Sequence, residues 1–314
     1  EQQLERVSKA PRDEATAIMQ EIYETPVKSE LIAQRISEIK AAGAVVCGSL
    51  TPQSVQQHYE VAVEAGLDIL VIQGTVISAE HVSTTVEPLN LKEFISEVPI
   101  PTVVGGCASY STGLHLMRTG AVGVLVGVGP GAACTTRGVL GIGVPQATAI
   151  ADVAAARSQH MLETGEYVNV IGDGGMRTGG DISKAIACGA DAVMIGSPLA
   201  RAKEAPGRGY HWGMATFHSS LPRGTRVTTV QDGTMEEILL GPAHTNDGTF
   251  NLMGALRTSM ATCGYEDIRS FQRAEMMIAP ALMTEGKKLQ QEQSVGMGSN
   301  GRAAVSAGVE VADD

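Results

Sequence analysis

The 314-residue sequence predicts an α/β protein, and more narrowly a (β/α)8 TIM barrel, from three observations. Short apolar runs recur along the chain, as a parallel sheet covered on both faces requires. Most of them follow a helix-like segment that ends in glycine, the residue best suited to a left-handed helix C-cap. Glycine-rich segments with chemically active side chains then follow several successive strands, as at the C-terminal face of a barrel. An open, doubly wound sheet would also accommodate the pattern.

The apolar runs predict six strands. They are expected at Ala44–Gly48, Leu67–Ile72, Thr102–Gly105, Gly123–Val128, Val168–Gly172 and Ala192–Gly196. Four of the preceding helices should end at Gly43, Gly66, Gly120 and Gly189. Because a TIM barrel closes with eight strands, we expect its first two strands to be missing from this chain.

The segments on either side of the strands complete the prediction. The charged segment Arg6–Gln34 is expected to be the helix before the first of the six strands, and residues 203–234 a long loop rich in Gly, Pro, His and Arg. Short closing helices are expected at Met235–Leu240, Leu252–Met260 and Ile268–Gln272. We therefore expect one catalytic barrel domain over residues 1–298 and a flexible tail over residues 299–314.

Charge and composition exclude several classes of protein. Lys and Arg total 23 against 34 Asp and Glu, and a net charge of −11 argues against general nucleic-acid binding. No apolar run approaches the roughly 20 residues of a membrane span. The five cysteines contain no Cys-x-x-Cys pair, which indicates a reducing compartment and no structural zinc. We expect a cytoplasmic protein, or a stromal one in a photosynthetic eukaryote, with Cys47, Cys107 and Cys188 in the core.

The first chemically suggestive segment is VGVGPGAACTTRGVLGIGVPQ, residues 126–146. Gly127, Gly129 and Gly131 allow the backbone to approach a ligand closely or to turn its carbonyls towards a cation. Cys134, followed by two hydroxyl residues and an arginine, is placed to act as a thiolate nucleophile. The alternative is that Cys134 is a small buried hydrophobic residue, the commonest state of a free cysteine.

The second segment is VNVIGDGGMRTGGDIS, which starts at residue 168. Asp173 ends a predicted strand, where its carboxylate can accept from both hydroxyls of a ribose; alternatively, it caps a helix. Gly174 and Gly175, with Gly196 and Ser197 after the next strand, offer backbone amides that suit a phosphate. Loops after the last two strands are the usual phosphate site of a barrel.

The motifs GxGPGxxCTTR, GVPQxTA and DGG with a downstream GS together resemble the IMP dehydrogenase and GMP reductase family. The similarity extends from Ala44 to Gly298 and is nearest to the bacterial IMP dehydrogenase-related branch. Flavin-dependent α-hydroxyacid oxidases share a DGG-type phosphate loop but not the cysteine loop.

This resemblance implies roles for individual residues. Cys134 would be the nucleophile and Thr136 the catalytic-loop threonine, and carbonyls of Gly129, Gly131 and Cys134 would bind a monovalent cation, K⁺. Asp173 would bind the ribose. The remaining implied contacts are with the nucleotide, at Gly174, Gly175, Gly196, Ser197, Gly213 and Met214, and with the NADPH or NAD cofactor, at Gln73 and Gly127. The family also implies a homotetramer.

Three departures from the family pattern bear on the reaction. Gln73 stands where the family has a cofactor-binding Asp, and Cys107 where IMP dehydrogenases have an Asn. The Arg-Tyr flap that activates water in IMP dehydrogenases has no counterpart between Ala200 and Leu240. We therefore expect an NADPH-dependent GMP reductase that forms IMP and ammonia. The alternatives are an NAD-dependent IMP dehydrogenase that forms XMP and, more remotely, a non-catalytic nucleotide-binding regulatory subunit.

Overall fold

A computed structural model describes residues 1–74, 88–213, 226–279 and 287–296. Its strands are β1 Cys47–Leu50, β2 Ile69–Gln73, β3 Thr102–Cys107, β4 Gly123–Val126, β5 Asn169–Asp173, β6 Ala192–Met194, β7 Tyr210–Trp212 and β8 Arg226–Thr228. Its helices are α1 Gln2–Lys9, α2 Ala15–Tyr23, α3 Ser29–Ala41, α4 Val55–Glu64, α5 Leu91–Glu97, α6 Tyr110–Met117, α7 Thr136–Leu140, α8 Gln146–Thr164, α9 Gly179–Ala187, α10 Ser197–Ala200, α11 Met235–Leu239, α12 Leu252–Thr262, α13 Ile268–Phe271 and α14 Lys287–Glu292. No helix in these ranges is both long enough and apolar enough to cross a membrane.

Strands β1 to β6 form one parallel sheet in sequence order, with helices in the connections. This is the arrangement of a TIM barrel with fewer strands, and all six predicted strands are confirmed. The predicted helix-ending glycines are also confirmed. Their φ angles are positive, as a left-handed C-cap requires, at Gly43 (77°), Gly66 (94°), Gly120 (92°) and Gly189 (110°).

Apolar side chains cover both faces of the sheet, which explains why its strands are continuous apolar runs rather than alternating ones. Leu70, Ile72 and Val124 belong to a large core cluster that includes buried residues of helices α6, α8 and α9. Val71, Val103 and Leu125 form a separate small cluster, because neighbouring residues of a strand point to opposite faces.

One cysteine prediction is wrong. Cys47 is exposed, whereas Cys107 is buried as expected and Cys188 is partly exposed. Strand β1 pairs only with β2 in the described sheet, so Cys47 lies on an edge strand. The strand also starts at Cys47 rather than at Ala44, because the amide of Val46 donates to the carboxylate of Asp68 just before the pairing begins.

The prediction of a single helix over Arg6–Gln34 is also wrong, because the segment holds α1, α2 and the start of α3. Pro11 explains the first break. The residue before a proline is forced towards an extended conformation, and Ala10 has φ −63° and ψ 141°. Only α3 leads into β1, while α1 and α2 pack on each other around Val7 and Met19.

The long loop predicted over residues 203–234 contains a short antiparallel pair, β7 with β8, in which Trp212 lies opposite Arg226. Strands of three residues are too short to show an alternating pattern in the sequence. The three closing helices are confirmed as α11, α12 and α13. The tail predicted over residues 299–314 lies outside the described residues.

Candidate active site

The carboxyl ends of β2 to β6 open on one cleft of about 1320 Å³. Parallel strands carry their C-terminal loops to the same edge of a sheet, so segments far apart in sequence meet there. Every predicted site residue that the structure describes lines this cleft: Gln73, Gly127, Gly129, Gly131, Cys134, Thr136, Asp173, Gly174, Gly175, Gly196, Ser197 and Gly213. The remaining one, Met214, lies outside the described residues.

Cys134 lies on the loop between β4 and α7, and its side chain is exposed to the cleft. The reading of Cys134 as a buried hydrophobic residue is therefore wrong. Its Sγ lies 3.2 Å from Oγ1 of Thr136, within hydrogen-bond reach for a sulfur atom. The Cys134 amide donates to the carbonyl of Gly131 at 3.0 Å, which closes a tight turn just before the thiol. An accessible thiol with a hydroxyl beside it can act as a nucleophile and exchange protons locally.

Arg137 holds the cysteine loop in shape. Its Nε donates to the carbonyl of Val128 at 3.1 Å, and a terminal nitrogen donates to the carbonyl of Val144 at 2.6 Å. The two ends of the loop are thus joined through one guanidinium. A Cβ on Gly143 would lie 2.5 Å from this Nε, so glycine is required there for the arginine to fit. The sequence placed an arginine near the thiol, but its bracing role depends on contacts that spacing does not reveal.

Asp173 ends β5, and its Oδ2 accepts from Nε2 of Gln73 at 3.0 Å. Gln73 Oε1 in turn lies 3.4 Å from the hydroxyl of Ser49. Burial raises the pKa of the Asp173 carboxyl, and the hydrogen bond from Gln73 opposes that shift. Asp173 caps no helix, because Thr178 supplies the N-cap of α9. Apart from the bond from Gln73, the carboxylate has no hydrogen-bond partner among the described residues, so it can accept from a ligand at the cleft.

Three of the four backbone amides expected to bind a phosphate lack a protein acceptor among the described residues. The Gly174 amide already donates to the carbonyl of Met194 at 3.0 Å, so it is not available to a phosphate. The amides of Gly175, Gly196 and Ser197 have no protein acceptor within the described ranges. Gly175 has φ 78°, and a Cβ there would lie 2.9 Å from Cβ of Pro130. Glycine at this position thus lets the phosphate loop approach the cysteine loop.

His211 is a site residue whose individual role the sequence did not reveal. Its Nε2 lies 3.3 Å from the hydroxyl of Ser197, and its Nδ1 lies 2.6 Å from the hydroxyl of Thr229. Burial lowers the pKa of His211, which favours the neutral ring. The sequence presented this histidine only beside Trp212, and no short spacing links it to Ser197.

The family model for the IMP dehydrogenase / GMP reductase domain matches residues 3–293. The chain belongs to this family. It is 46% identical over 282 residues to an uncharacterized oxidoreductase of Mycolicibacterium smegmatis, a match that covers 88% of this chain and 75% of that protein. The inosine-5'-monophosphate dehydrogenase of Methanocaldococcus jannaschii is 34% identical over 245 residues, covering 67% of this chain and 46% of that protein.

The fold agrees with this membership. The crystal structure of an IMP dehydrogenase/GMP reductase-like protein from Corynebacterium glutamicum matches with a TM-score of 0.81 and 44% identity, covering 88% of this chain and 74% of that one. The chain is thus an oxidoreductase of the IMP dehydrogenase/GMP reductase family with a TIM-barrel-like fold.

Membership in this family implies a nicotinamide cofactor, and glycine backbone lines the cleft beside three of its strands. Gly74, Gly106 and Gly127 lie at or next to the ends of β2, β3 and β4 and line the cleft. A Cβ on Gly106 would lie 2.7 Å from the carbonyl oxygen of Gly127. Gln73, expected to bind the cofactor, lines the cleft and donates from its side-chain amide to Asp173. Cys107 is fully buried and does not line the cleft, and burial raises its pKa to about 12, so Cys134 is the accessible thiol there.

The same family implies a K⁺ site in the cysteine loop, and the loop backbone offers carbonyl acceptors for one. The carbonyls of Gly129 and Cys134 accept no backbone hydrogen bond in the described ranges, and that of Gly131 accepts one, which leaves a lone pair. Backbone carbonyls are the ligands with which proteins replace the hydration shell of K⁺. In the described part of the chain, no cluster of three or more His, Cys, Asp or Glu side chains offers a metal site.

Proposed function

We propose that this chain is a purine-nucleotide oxidoreductase that works through a covalent bond between Cys134 Sγ and C2 of the base, and that it reduces GMP to IMP and ammonia with NADPH. The observation that carries the proposal is the exposed Cys134 thiol, with Thr136 Oγ1 at 3.2 Å, on the same cleft as the Asp173 carboxylate. This cleft brings a nucleophile and a ribose acceptor to one ligand.

The nucleotide would be held at its sugar and phosphate. The Asp173 carboxylate accepts from the two ribose hydroxyls, while the amides of Gly175, Gly196 and Ser197 face the phosphate. These three amides have no protein acceptor among the described residues, which supports their assignment to a ligand. Gly213 and Met214, the second of which lies outside the described ranges, are assigned to the purine by family resemblance.

In the proposed reaction the Cys134 thiolate adds to C2 of GMP. The bond from C2 to the exocyclic amine then breaks, and the amine takes up two protons and leaves as ammonium. Thr136 Oγ1, beside the sulfur, is placed to pass one of these protons. A reduced nicotinamide supplies, when bound, the hydride that C2 accepts as the C–S bond breaks. The balance is GMP, NADPH and two protons in, and IMP, NADP⁺ and ammonium out.

The direction of the reaction is argued from proton transfer. Oxidation of IMP requires water to attack the covalent intermediate, and this water needs a base. Apart from Cys134, the titratable side chains along the described part of the cleft are Asp173, Arg177 and His211. Asp173 accepts from Gln73 and is assigned to the ribose, both His211 nitrogens have hydroxyl partners, and the Arg177 guanidinium offers donors but no acceptor for a proton. Reduction of GMP needs protons for the leaving amine, which the Thr136 hydroxyl is placed to pass, but it needs no activated water, and this favours reduction.

NAD-dependent oxidation of IMP to XMP is the second candidate, favoured by the 34% identity to an archaeal protein named as an IMP dehydrogenase. Absorbance at 340 nm distinguishes the two, with GMP plus NADPH in one assay and IMP plus NAD in the other. We expect nicotinamide oxidation that depends on GMP and is lost in Cys134→Ser. XMP formation without GMP-dependent NADPH loss would refute the assigned direction, and nucleotide binding with no turnover in either assay would indicate a regulatory subunit.

A further inference from the structure

The two N-terminal helices pack on one wall of the candidate nucleotide cleft. Helices α1 and α2 enclose the side chains of Val7 and Met19, which are 3% and 0% exposed. Trp212, on β7, packs against this cluster together with Ile18 and Ile22. Trp212 also lines the cleft. A single side chain therefore contacts both the N-terminal helices and the space in which the nucleotide would lie.

Arg226, on β8, binds the end of α1 to the β7–β8 pair. It lies opposite Trp212 in the β7–β8 pair. Its guanidinium donates to the carbonyl of Val7 at 2.5 Å and to that of Ala10 at 2.8 Å, and it stacks on the Tyr210 ring at 4.3 Å. The last carbonyls of a helix lack intrahelical partners and carry partial negative charge, so a cation is favourable there. Arg226 thus closes the C-terminal end of α1.

The other side of this wall reaches the predicted phosphate end of the cleft. His211 is the neighbour of Trp212 on β7, and its ring bridges the hydroxyl of Ser197 to that of Thr229, the residue after β8. The β7–β8 pair is therefore held at two places, by α1 through Arg226 and by the start of α10 through His211. A shift of α1 would be transmitted to both contacts.

We infer that the α1–α2 unit, residues Gln2–Tyr23, is a positioning element for the nucleotide. It holds Trp212 at the side of the cleft where the base would lie, and it keeps the His211 ring within hydrogen-bond reach of the Ser197 hydroxyl. The inference rests on the proposed function, because it concerns the same cleft. Neither helix lines the cleft. Loosening α1–α2 should therefore weaken nucleotide binding and raise KM, while the chemical step at Cys134 keeps its rate once the nucleotide is bound.

The sequence supplies its own reporter for this coupling. Trp212 is the only tryptophan among the 314 residues, so intrinsic tryptophan fluorescence comes from this wall alone. Titration with GMP should change that fluorescence to saturation. Calorimetry with GMP gives the affinity independently of the fluorophore.

Two variants test the inference from opposite sides of the contact. Arg226→Gln removes the charge that closes α1, and Met19→Ala loosens the apolar cluster. The matched control is Arg118→Gln, which removes a bidentate pair with Glu163 that lies between α6 and α8 on the exposed surface. We expect GMP Kd and KM to rise about tenfold in Arg226→Gln, roughly the effect of one charge-assisted hydrogen bond, and to rise also in Met19→Ala, which loosens the same helices. The control should match the wild type, and Arg226→Lys should recover part of the affinity.

The turnover number kcat distinguishes a loss of nucleotide positioning from a general loss of folded, active protein. After normalisation to the fraction of alkylatable Cys134, kcat should stay within about twofold of the wild type, because the binding loss is uniform between ground and transition states. Unchanged Kd in both variants would overturn the inference, as would a fall in kcat with KM unchanged.

One measurement does not depend on whether any variant folds. In the wild type, GMP should slow amide hydrogen exchange in residues 2–23, although these residues do not line the cleft. Binding of GMP without such protection would refute the coupling. Absence of GMP and IMP binding to the wild type in calorimetry would instead refute the proposed function itself.

Discussion

Replacing Asp173 by Asn should weaken nucleotide binding without weakening the fold. The new side chain keeps its size and one acceptor oxygen, to which Gln73 can still donate as it does now at 3.0 Å. It loses the charge and one acceptor for the ribose. Two charge-assisted hydrogen bonds of roughly 1–1.5 kcal/mol each set the scale, so a loss of about 2 kcal/mol and an affinity for GMP about 30-fold lower are expected.

The stability of this variant should change in the opposite direction. Burial raises the pKa of the Asp173 carboxyl, so the folded chain binds this proton more tightly than the unfolded chain does. The charged carboxylate therefore destabilises the fold at pH values above its raised pKa, and this cost disappears below the unfolded value of about 3.9. Asp173→Asn removes the cost, so the free energy of unfolding should rise at pH 7, and the gain should shrink as pH falls towards 4.

Calorimetry with GMP measures the binding loss, and urea unfolding of the ligand-free protein at pH 7 and pH 4 measures the stability. Asp152→Asn, an exposed position on α8, is the matched control and should change neither quantity. Unchanged affinity for GMP would place the ribose elsewhere. A drop in stability that is equal at pH 7 and pH 4 would show that the Asp173 side chain supports the fold through contacts that do not depend on its charge, contrary to the reasoning.

Four further outcomes are expected. Cys134→Ser should abolish turnover, because a serine hydroxyl is a far weaker nucleophile, and should leave GMP affinity within about tenfold by calorimetry. Arg137→Lys should lower kcat about 10- to 100-fold, since lysine cannot join the two loop ends as the guanidinium does; a kcat near that of the wild type would show the brace to be dispensable. Exchange of K⁺ for choline in the assay buffer should reduce activity several-fold if the loop carbonyls bind the cation, and equal rates in both buffers would argue against that site. His160→Leu should raise the free energy of unfolding by about 1 kcal/mol in urea, because neither ring nitrogen of this buried histidine has a partner in the described structure; the exposed His115→Leu should not.

The sequence determined the features that depend on neighbouring residues. Apolar runs located all six strands of the sheet, and glycines at 43, 66, 120 and 189 located the helix ends, because hydrophobic periodicity and the steric limits on φ act within a few residues. The cysteine loop and the DGG segment pointed to the family for a related reason. Their chemistry is written in contiguous residues, and the barrel topology brings the ends of parallel strands together.

Tertiary structure alone decided which side chains engage one another at the site. Gln73 reaches Asp173 across 100 positions of sequence, and Arg226 reaches Val7 across 219. The sequence spacing of such residues does not show which of them are in contact, because their distance in space is set by how strands and helices pack rather than by the local chain path. For the same reason Arg137, expected beside the thiol, is a brace of the cysteine loop, and His211 became a site residue only once β7 lay against α10.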